Sequence, residues 1–336
     1  MIEKKYRLKR TKIVATIGPS SLSKETIRKM ILSGLNVCRI NFSHSNHADA
    51  LKTISIIREL NDTLDAHVAI MGDLQGPKLR VGLVESNLFL NKNKLVTIQS
   101  GSRTSTENIL FINYPTIHSD VEVGQKILLD DGKIILKITR INQEKILCRI
   151  LQGGELRANK GVNLPNTKIN LPAITNKDIR DLDFCLENNI EWIALSFVRK
   201  SEDVLSLRRL IRKAKSSCKI IAKIEKPDAI KNLNKIIVSS DALMVARGDL
   251  GVEVHPQKVP VLQKKIVRAA RRNAKPVIIA TQLMENMINH LIPTRAETND
   301  VANAVFDAAD ALMLSGETSI GKSPVKVVRT ISKIIL

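Results

Sequence analysis

The chain has 336 residues, with 53 lysines and arginines against 33 acidic residues and a net charge of +20. Hydrophobic residues make up 43% of it and aromatic residues only 3%, so an aliphatic core is available but stacking platforms for nucleic-acid bases are not. The positive charge favours anionic partners, but no nucleic-acid recognition module or membrane-spanning apolar run accompanies it. We therefore expect no nucleic-acid partner and no membrane segment.

In chain order, three short apolar runs come first, at 12–18, 36–42 and 67–74, with helical patterns at 23–34 and 46–62. From about residue 82 the pattern changes to short alternating segments broken by turns such as Asp130-Asp131-Gly132. Alternation of this kind predicts a small all-β domain. The first rhythm then resumes with five further apolar runs, at 192–197, 219–225, 242–249, 276–282 and 311–317.

Helical patterns separate and follow these later runs, at 176–189, 201–215, 227–238, 258–274, 295–309 and 324–335. Two of these helices begin with capping-box spacing, Thr175 with Asp178 and Thr294 with Glu297. Eight strand-helix units predict an α/β protein, a (β/α)₈ TIM barrel with the β domain inserted after strand 3. The predicted domains are a first barrel segment, a β-barrel-like insert and a second barrel segment, at 1–81, 82–170 and 171–336.

The four cysteines, Cys38, Cys148, Cys185 and Cys218, are far apart in sequence. They form no Cys-x-x-Cys pair, which argues against a zinc site and against a disulfide framework. The charged N-terminus does not resemble a secretory signal. We therefore expect a cytoplasmic protein whose cysteines are reduced packing residues.

Charged and polar residues stand at the ends of the predicted strands, and in a TIM barrel the residues that do chemistry project from the carboxyl ends of the strands. These residues are Arg39, Asn41, Ser43, Asp73, Lys78, Arg80, Lys223, Glu225, Arg247, Gly248, Asp249, Thr281, Ser315 and Glu317. Carboxylates there suit Mg²⁺, and lysines and arginines suit phosphate. Taken alone, Lys223 and Glu225 are more typical of a structural ion pair than of a catalytic site.

Eleven segments resemble the motifs of one enzyme family, in the family's own order. They are KIVATIGPS, RINFSH, GDLQGPKLR, KGVNLP, LPAITNKDI, AKIE, MVARGDLGVE, ATQLMENMI, PTRAE, DVANAV and LMLSGET. The family is pyruvate kinase. The resemblance implies a phosphotransferase that moves a phosphoryl group from phosphoenolpyruvate to ADP, giving pyruvate and ATP in the last step of glycolysis. It also implies a barrel A domain and a lid-like B domain.

The resemblance also implies roles for individual residues. Lys223 would stabilise the phosphoryl group in flight, Arg39 would grip the substrate phosphate, and Thr281 would lie near the carbon that is protonated. Gly248, Asp249 and Thr281 would contact the substrate, and Glu225 and Asp249 would hold Mg²⁺. The residues on the nucleotide side would be Asn41, His44, Arg80 and Lys160, although a single loop histidine such as His44 is more often a surface residue.

A potassium site is implied at four further positions, Asn41, Ser43, Asp73 and Leu74. Many relatives carry an acidic residue where this chain has Lys78. Because the ammonium group of Lys78 can substitute electrostatically for the charge of K⁺, we expect weak K⁺ dependence or none.

Arg295 matches a subunit-interface position of the family, so we expect a homo-oligomer, with a dimer through the Arg295 face. Family members usually continue into a C-terminal effector domain, and because this sequence ends at Leu336 we expect that domain and the full tetramer to be absent. The alternative hypotheses are a non-catalytic remnant that folds and binds anions or partner subunits, and a different barrel enzyme that acts on an enolate. Nucleotide dependence of activity separates them.

Overall fold

The computed structural model describes residues 9–165, 167 and 169–336, and two compact units divide the chain. The first unit comprises the described residues up to Gly76, together with Ala173–Gly248 and Val259–Leu336. The second comprises the described part of Pro77–Pro172 together with Asp249–Lys258. The domain boundaries predicted from the sequence remain our proposal.

Among the described residues, eight strands of the first unit close into a barrel in which every neighbouring pair is parallel. They are β1 (Lys12–Thr16), β2 (Val37–Asn41), β3 (Ala69–Asp73), β12 (Trp192–Leu195), β13 (Lys219–Ile224), β14 (Ala242–Ala246), β15 (Val277–Ala280) and β16 (Ala311–Leu314). The order around the barrel follows the chain, and β16 closes onto β1. The predicted TIM barrel is confirmed.

Side chains of contrasting size fill the inside of this barrel. Methionines such as Met71, Met244 and Met313 pack there among alanines such as Ala194 and Ala280. Inward-facing residues of TIM barrels stack in layers that leave no pore. The barrel is thus a packed scaffold, and chemistry is confined to its ends.

Helices follow the barrel strands. They are α1 (Lys24–Leu32), α2 (His47–Leu64), α4 (Asn176–Glu187), α5 (Ser201–Lys213), α6 (Pro227–Lys231), α7 (Leu233–Ser239), α9 (Val259–Arg272), α10 (Arg295–Phe306), α11 (Gly316–Ser319) and α12 (Pro324–Ile335). Both predicted capping boxes form, at the starts of α4 and α10. Within the described ranges, no helix combines the length and the apolar character needed to cross a membrane.

The bounds of several predicted elements differ in the structure, and three of them illustrate the differences. The predicted strand 242–249 ends at Ala246, and helix α8 (Arg247–Glu253) follows directly. The predicted strand 311–317 ends at Leu314, before α11. The predicted helix 227–238 is interrupted at Asn232, whose side-chain amide donates a hydrogen bond to the carbonyl of Arg199 at 3.0 Å.

The second unit contains the β insert. Its strands are β4 (Phe89–Leu90), β5 (Leu95–Ser100), β6 (Ile109–Ile112), β7 (Lys126–Leu129), β8 (Ile134–Asn142), β9 (Lys145–Gln152), β10 (Gly154–Glu155) and β11 (Val162–Asn163), with the short helix α3 (Ile117–Asp120). Six of them form a sheet in the order β11-β7-β8-β9-β5-β6. The hairpin between β7 and β8 turns at Asp130, Asp131 and Gly132, which all have positive φ angles. The predicted hairpin turn is confirmed.

Candidate active site

Four buried charged residues lie at the carboxyl-terminal end of the barrel strands. Arg39 belongs to β2, Asp73 ends β3, Lys223 lies near the end of β13, and Glu225 follows β13. Their exposed fractions are 9%, 1%, 8% and 1%. Charged side chains are buried to this degree only when they are paired. Two cations face two anions here, so the group has no net charge.

Asp73 holds the guanidinium group of Arg39. Nε and Nη2 of Arg39 each lie 2.7 Å from Oδ2 of Asp73. Nη1 donates to the hydroxyl of Thr16 at 2.9 Å, and that hydroxyl donates to the carbonyl of Leu314 at 2.8 Å. Contacts from the two neighbouring strands, β1 and β3, thus fix the orientation of Arg39.

The ammonium group of Lys223 lies between both carboxylates. Its Nζ is 3.2 Å from Oδ1 of Asp73 and 3.0 Å from Oε1 of Glu225. It also donates to the hydroxyl of Ser196 at 2.7 Å, and this hydroxyl donates to the carbonyl of Leu74 at 2.7 Å. Asp73 therefore bridges Lys223 and Arg39, and we call Arg39, Asp73, Lys223 and Glu225 the rim network.

Glu225 also supports a strained residue after β12. Its Oε2 accepts a hydrogen bond from the backbone N–H of Phe197 at 2.8 Å. Phe197 has a φ of 55°, a conformation that bulky residues rarely adopt. The sequence analysis missed Ser196 and Phe197, which lie at the end of the predicted strand 192–197. The residues of the rim network were found at the corresponding ends of other predicted strands.

Electrostatics keeps the carboxylate of Asp73 ionised. Burial alone would raise the pKa of this carboxyl group, but the positive charges of Lys223 and Arg39 and their hydrogen bonds outweigh burial and lower the pKa below its usual value. The rim network thus presents fixed charges in a largely buried site, where electrostatic interactions are stronger than in solution.

A second polar arrangement joins the start of α8, which follows β14, to the turn that follows β15. The backbone N–H of Gly248 donates to the hydroxyl of Thr281 at 2.7 Å. Thr281 has a φ of 70° and the next residue, Gln282, a φ of 54°. A left-handed conformation is unusual for a β-branched residue and costs about 1–3 kcal/mol, so other contacts must hold this turn.

Arg247 makes those contacts. Its Nη2 donates to the carbonyls of Thr281 and Gln282 at 2.7 and 2.8 Å, and Nη1 lies 2.8 Å from Oδ2 of Asp300. The sequence analysis counted Arg247 among the phosphate-binding arginines of the barrel mouth. In the structure, the guanidinium group contacts two carbonyls of the protein itself and a carboxylate.

The family model described as pyruvate kinase, barrel domain, matches residues 8–328. The chain belongs to the pyruvate kinase family. It is 44% identical over 328 residues to the pyruvate kinase of Corynebacterium efficiens, covering 97% of this chain and 69% of that protein. It is 45% identical to pyruvate kinase 2 of Synechocystis, covering 97% of this chain and 56% of that protein. Pyruvate kinase of Mycobacterium tuberculosis is 42% identical over 328 residues.

The donor set of the rim network suits a hard divalent cation. Carboxylate oxygens such as those of Glu225 are the ligands that Mg²⁺ prefers, with the remaining positions taken by water or substrate oxygens. In the described part of the chain, no group of three or more His, Cys, Asp or Glu side chains is arranged to hold a metal ion. Asp249, the other predicted ligand, belongs to the second compact unit.

The residues predicted for K⁺ are already engaged within the first unit. Two cations contact Asp73, and the carbonyl of Leu74 accepts from Ser196. The side-chain oxygen of Asn41 accepts from the backbone N–H of Ser43 at 3.2 Å. His44, predicted to bind nucleotide, follows in the same turn and is exposed.

Two more of the residues predicted to bind nucleotide lie in the second unit. Arg80 donates through Nη1 to the carbonyl of Asn159 at 2.8 Å. Nζ of Lys160 lies 2.9 Å from Oδ1 of Asp130, and Lys133 contacts the other oxygen of Asp130 at 3.0 Å. Burial on its own would raise the pKa of Asp130, but hydrogen bonds from Lys160 and Lys133 outweigh it and lower the pKa. The sequence analysis had assigned Asp130 only to the turn.

Proposed function

We propose that this chain is a pyruvate kinase, which transfers the phosphoryl group of phosphoenolpyruvate to ADP. Phosphoenolpyruvate, ADP and one proton give pyruvate and ATP. The proposal is carried by one observation, the buried position of Lys223 between Asp73 and Glu225. Family membership supports it, because the curated relatives are pyruvate kinases.

The chemistry of phosphoryl transfer explains why such a network would be useful. The transferring group passes through a loose transition state whose charge is spread over its oxygens, so catalysis consists mainly of positioning and charge stabilisation. Lys223 would donate to the phosphoryl oxygens from its position between the two carboxylates, while Arg39 would hold the substrate phosphate. Fixed cations in a dry site need little reorganisation during the reaction, which is the basis of electrostatic catalysis.

Thr281 and Gly248 would form the substrate end of this site. In this proposal they contact the carboxylate of phosphoenolpyruvate, and the hydroxyl of Thr281 lies near the carbon that gains a proton when the enolate becomes pyruvate. When bound, Mg²⁺ supplies charge neutralisation beside Glu225, with Asp249 as the second ligand that the family resemblance implies. Asn41, His44, Arg80 and Lys160 would serve the nucleotide.

Two further expectations, on cellular location and on oligomeric state, belong to the same proposal. We expect a cytoplasmic enzyme and a homodimer through the Arg295 face. Two large apolar residues shortly before Arg295 are exposed, Leu291 by 58% and Ile292 by 69%. Arg295 begins helix α10, and Phe306 at the end of that helix is 84% exposed. Burial of these apolar side chains against another copy would contribute to the stability of such a dimer.

Pyruvate formation by the purified chain, with phosphoenolpyruvate, ADP and Mg²⁺, tests the proposal. We expect turnover that requires all three, and none when ADP is omitted. Pyruvate formed without nucleotide would favour a different enolate-forming barrel enzyme. A chain that is folded by circular dichroism, binds phosphoenolpyruvate and forms no pyruvate would favour the non-catalytic alternative.

A further inference from the structure

The turn after β15 holds two consecutive residues, Thr281 and Gln282, in the left-handed region of backbone conformation. Neither is glycine, and Thr281 is β-branched, so the local sequence does not favour this conformation. Non-glycine residues persist there when the surrounding structure over-determines them, and they cluster at functional sites. The groups that impose the conformation are therefore candidates for a role in the reaction.

Arg247 contacts both strained residues at once. Its side chain is 10% exposed, and it donates to the carbonyls of Thr281 and Gln282. Successive carbonyls can both point towards one guanidinium group only when the backbone between them turns sharply. The planar fork of arginine suits such paired acceptors, and a lysine cannot reproduce it.

Two helices hold Arg247 from behind. Asp300 in α10 approaches Nη1 with both carboxylate oxygens, at 2.9 and 2.8 Å. Gln263 in α9 accepts a longer contact from the same nitrogen at 3.4 Å. A guanidinium group fixed in this way has a definite position relative to the barrel, so its hydrogen bonds transmit that position to the turn.

The turn also determines the position of the Thr281 hydroxyl group. Gly248, the residue after Arg247, donates its N–H to the hydroxyl of Thr281. A Cβ atom added to Gly248 would lie 3.3 Å from that hydroxyl oxygen, so a larger residue here would require the hydroxyl to shift by a few tenths of an ångström. On the far side of the turn, the carboxylate of the buried Glu317 accepts the N–H of Met284 at 3.1 Å. Gly248 thus contacts the hydroxyl of Thr281 itself, while Arg247 and Glu317 hold the backbone of the turn on either side.

We propose that Arg247, backed by Asp300, is a positioning residue that holds the hydroxyl of Thr281 in its reactive orientation. The inference rests on the proposed function, because it gives Thr281 its role in the reaction. It adds that the guanidinium group acts on the Thr281–Gln282 backbone and leaves the substrate to other cations. Loss of Arg247 should therefore lower turnover through Thr281.

Steady-state kinetics of Arg247→Met and Thr281→Ala provide the first test. Misplacement of a reacting group by about 1 Å can cost about 100-fold in rate, and we expect a fall of that order in kcat for Arg247→Met, with little change in KM for phosphoenolpyruvate. The double variant should be no slower than Thr281→Ala alone, since both changes remove the same interaction. Multiplicative losses would contradict the proposal.

Rescue and control variants separate positioning from general stability. In a protein that already carries Gln282→Gly, adding Arg247→Met should lower kcat by a smaller factor than it does in the wild type. The reason is that glycine adopts positive φ without help. The control is Arg208→Met, since Arg208 likewise binds a carboxylate, Asp241, and the carbonyl of Ser239. It should lower stability and leave kcat unchanged. Absence of rescue, together with equal kcat losses in the two arginine variants, would overturn the positioning role.

Hydrogen exchange of the Gly248 amide tests the same contact without substrates. We expect faster exchange in Arg247→Met and in Asp300→Asn than in the wild type, and no change in Arg208→Met. Unchanged protection in folded Arg247→Met would overturn the proposal even if kcat fell. If the wild-type chain forms no pyruvate, the proposed function fails, but exchange still decides whether Arg247 holds the turn.

Discussion

Asp73 in the barrel and Asp130 in the β insert make similar contacts in different surroundings. Each carboxylate contacts two cations, Arg39 and Lys223 in the first case and Lys160 and Lys133 in the second. Each has its pKa lowered by those partners against the effect of burial. The difference lies in the partners' exposure, since the side chains of Arg39 and Lys223 are 11% and 10% exposed and those of Lys160 and Lys133 are 37% and 71% exposed.

This difference in exposure separates a charge network suited to chemistry from a pair suited to reversible binding. Buried charges interact strongly and have fixed orientations, so losing one leaves the others uncompensated. Pairs with exposed cations are screened by water and salt and contribute little to stability. We expect the rim network to be essential to both folding and turnover. We expect Lys160, in contrast, to leave Asp130 readily and to bind a phosphate group.

The largest expected effect on stability comes from Asp73→Asn. Removing this charge leaves the buried cations of Arg39 and Lys223 short of a partner, and breaking a buried ion pair in this way costs about 3–5 kcal/mol. Asp130→Asn is the matched change in the other region. It should cost less than about 1 kcal/mol, because its partners are exposed and asparagine tolerates the positive φ at this position.

Urea unfolding at neutral pH measures both variants against the wild type. Equal losses in the two variants would contradict the comparison. So would an Asp73→Asn protein as stable as the wild type, because the rim network would then not depend on its central carboxylate.

The wild type and Asp73→Asn should also differ in how their stability depends on pH. Because the folded-state pKa of Asp73 is lowered, its contribution is fully present above the unfolded-state pKa of about 3.9 and is lost as the pH falls through the folded-state pKa. The stability difference between wild type and Asp73→Asn should therefore be constant from about pH 5 to 8 and shrink below about pH 4. Urea midpoints across this range provide the measurement, and a difference that grows on acidification would contradict the sign.

The smallest expected effect is that of K⁺. The carboxylate of Asp73 and the carbonyl of Leu74 already have partners, and Lys78 stands where the resemblance places an acid. Adding K⁺ to a K⁺-free assay should therefore raise the rate little, and Lys78→Glu should become more dependent on K⁺. A steep response of the wild-type rate to K⁺ would sink this hypothesis.

Much of the fold could be predicted from the sequence because barrel strands are buried on both faces. Runs such as 219–225 and 242–249 are short and apolar, which favours strands over helices, and their charged ends identified Lys223 and Glu225. The capping boxes of α4 and α10 were readable because a hydroxyl and a carboxylate three residues apart satisfy local amides. These signals depend only on neighbouring residues.

Features that depend on tertiary partners could not be predicted. Arg247 looked like a phosphate ligand, because no local pattern shows that Asp300, 53 residues further along, faces it. The positive φ of Thr281 could not be predicted either, because β-branched residues rarely adopt this conformation. Ser196 was within reach, since it ends an apolar run as the other rim residues do.

We propose that buried Lys223 acts on the phosphoryl group, whereas partly exposed Lys160 assists nucleotide binding. Steady-state kinetics of Lys223→Met and Lys160→Met, with phosphoenolpyruvate affinity measured by calorimetry, test it most directly. We predict that Lys223→Met lowers kcat by about 10³-fold with phosphoenolpyruvate binding retained, and that Lys160→Met mainly raises KM for ADP. Lys223→Arg, which keeps the charge, guards against loss of folding. Wild-type kcat in a folded Lys223→Met protein would contradict the account.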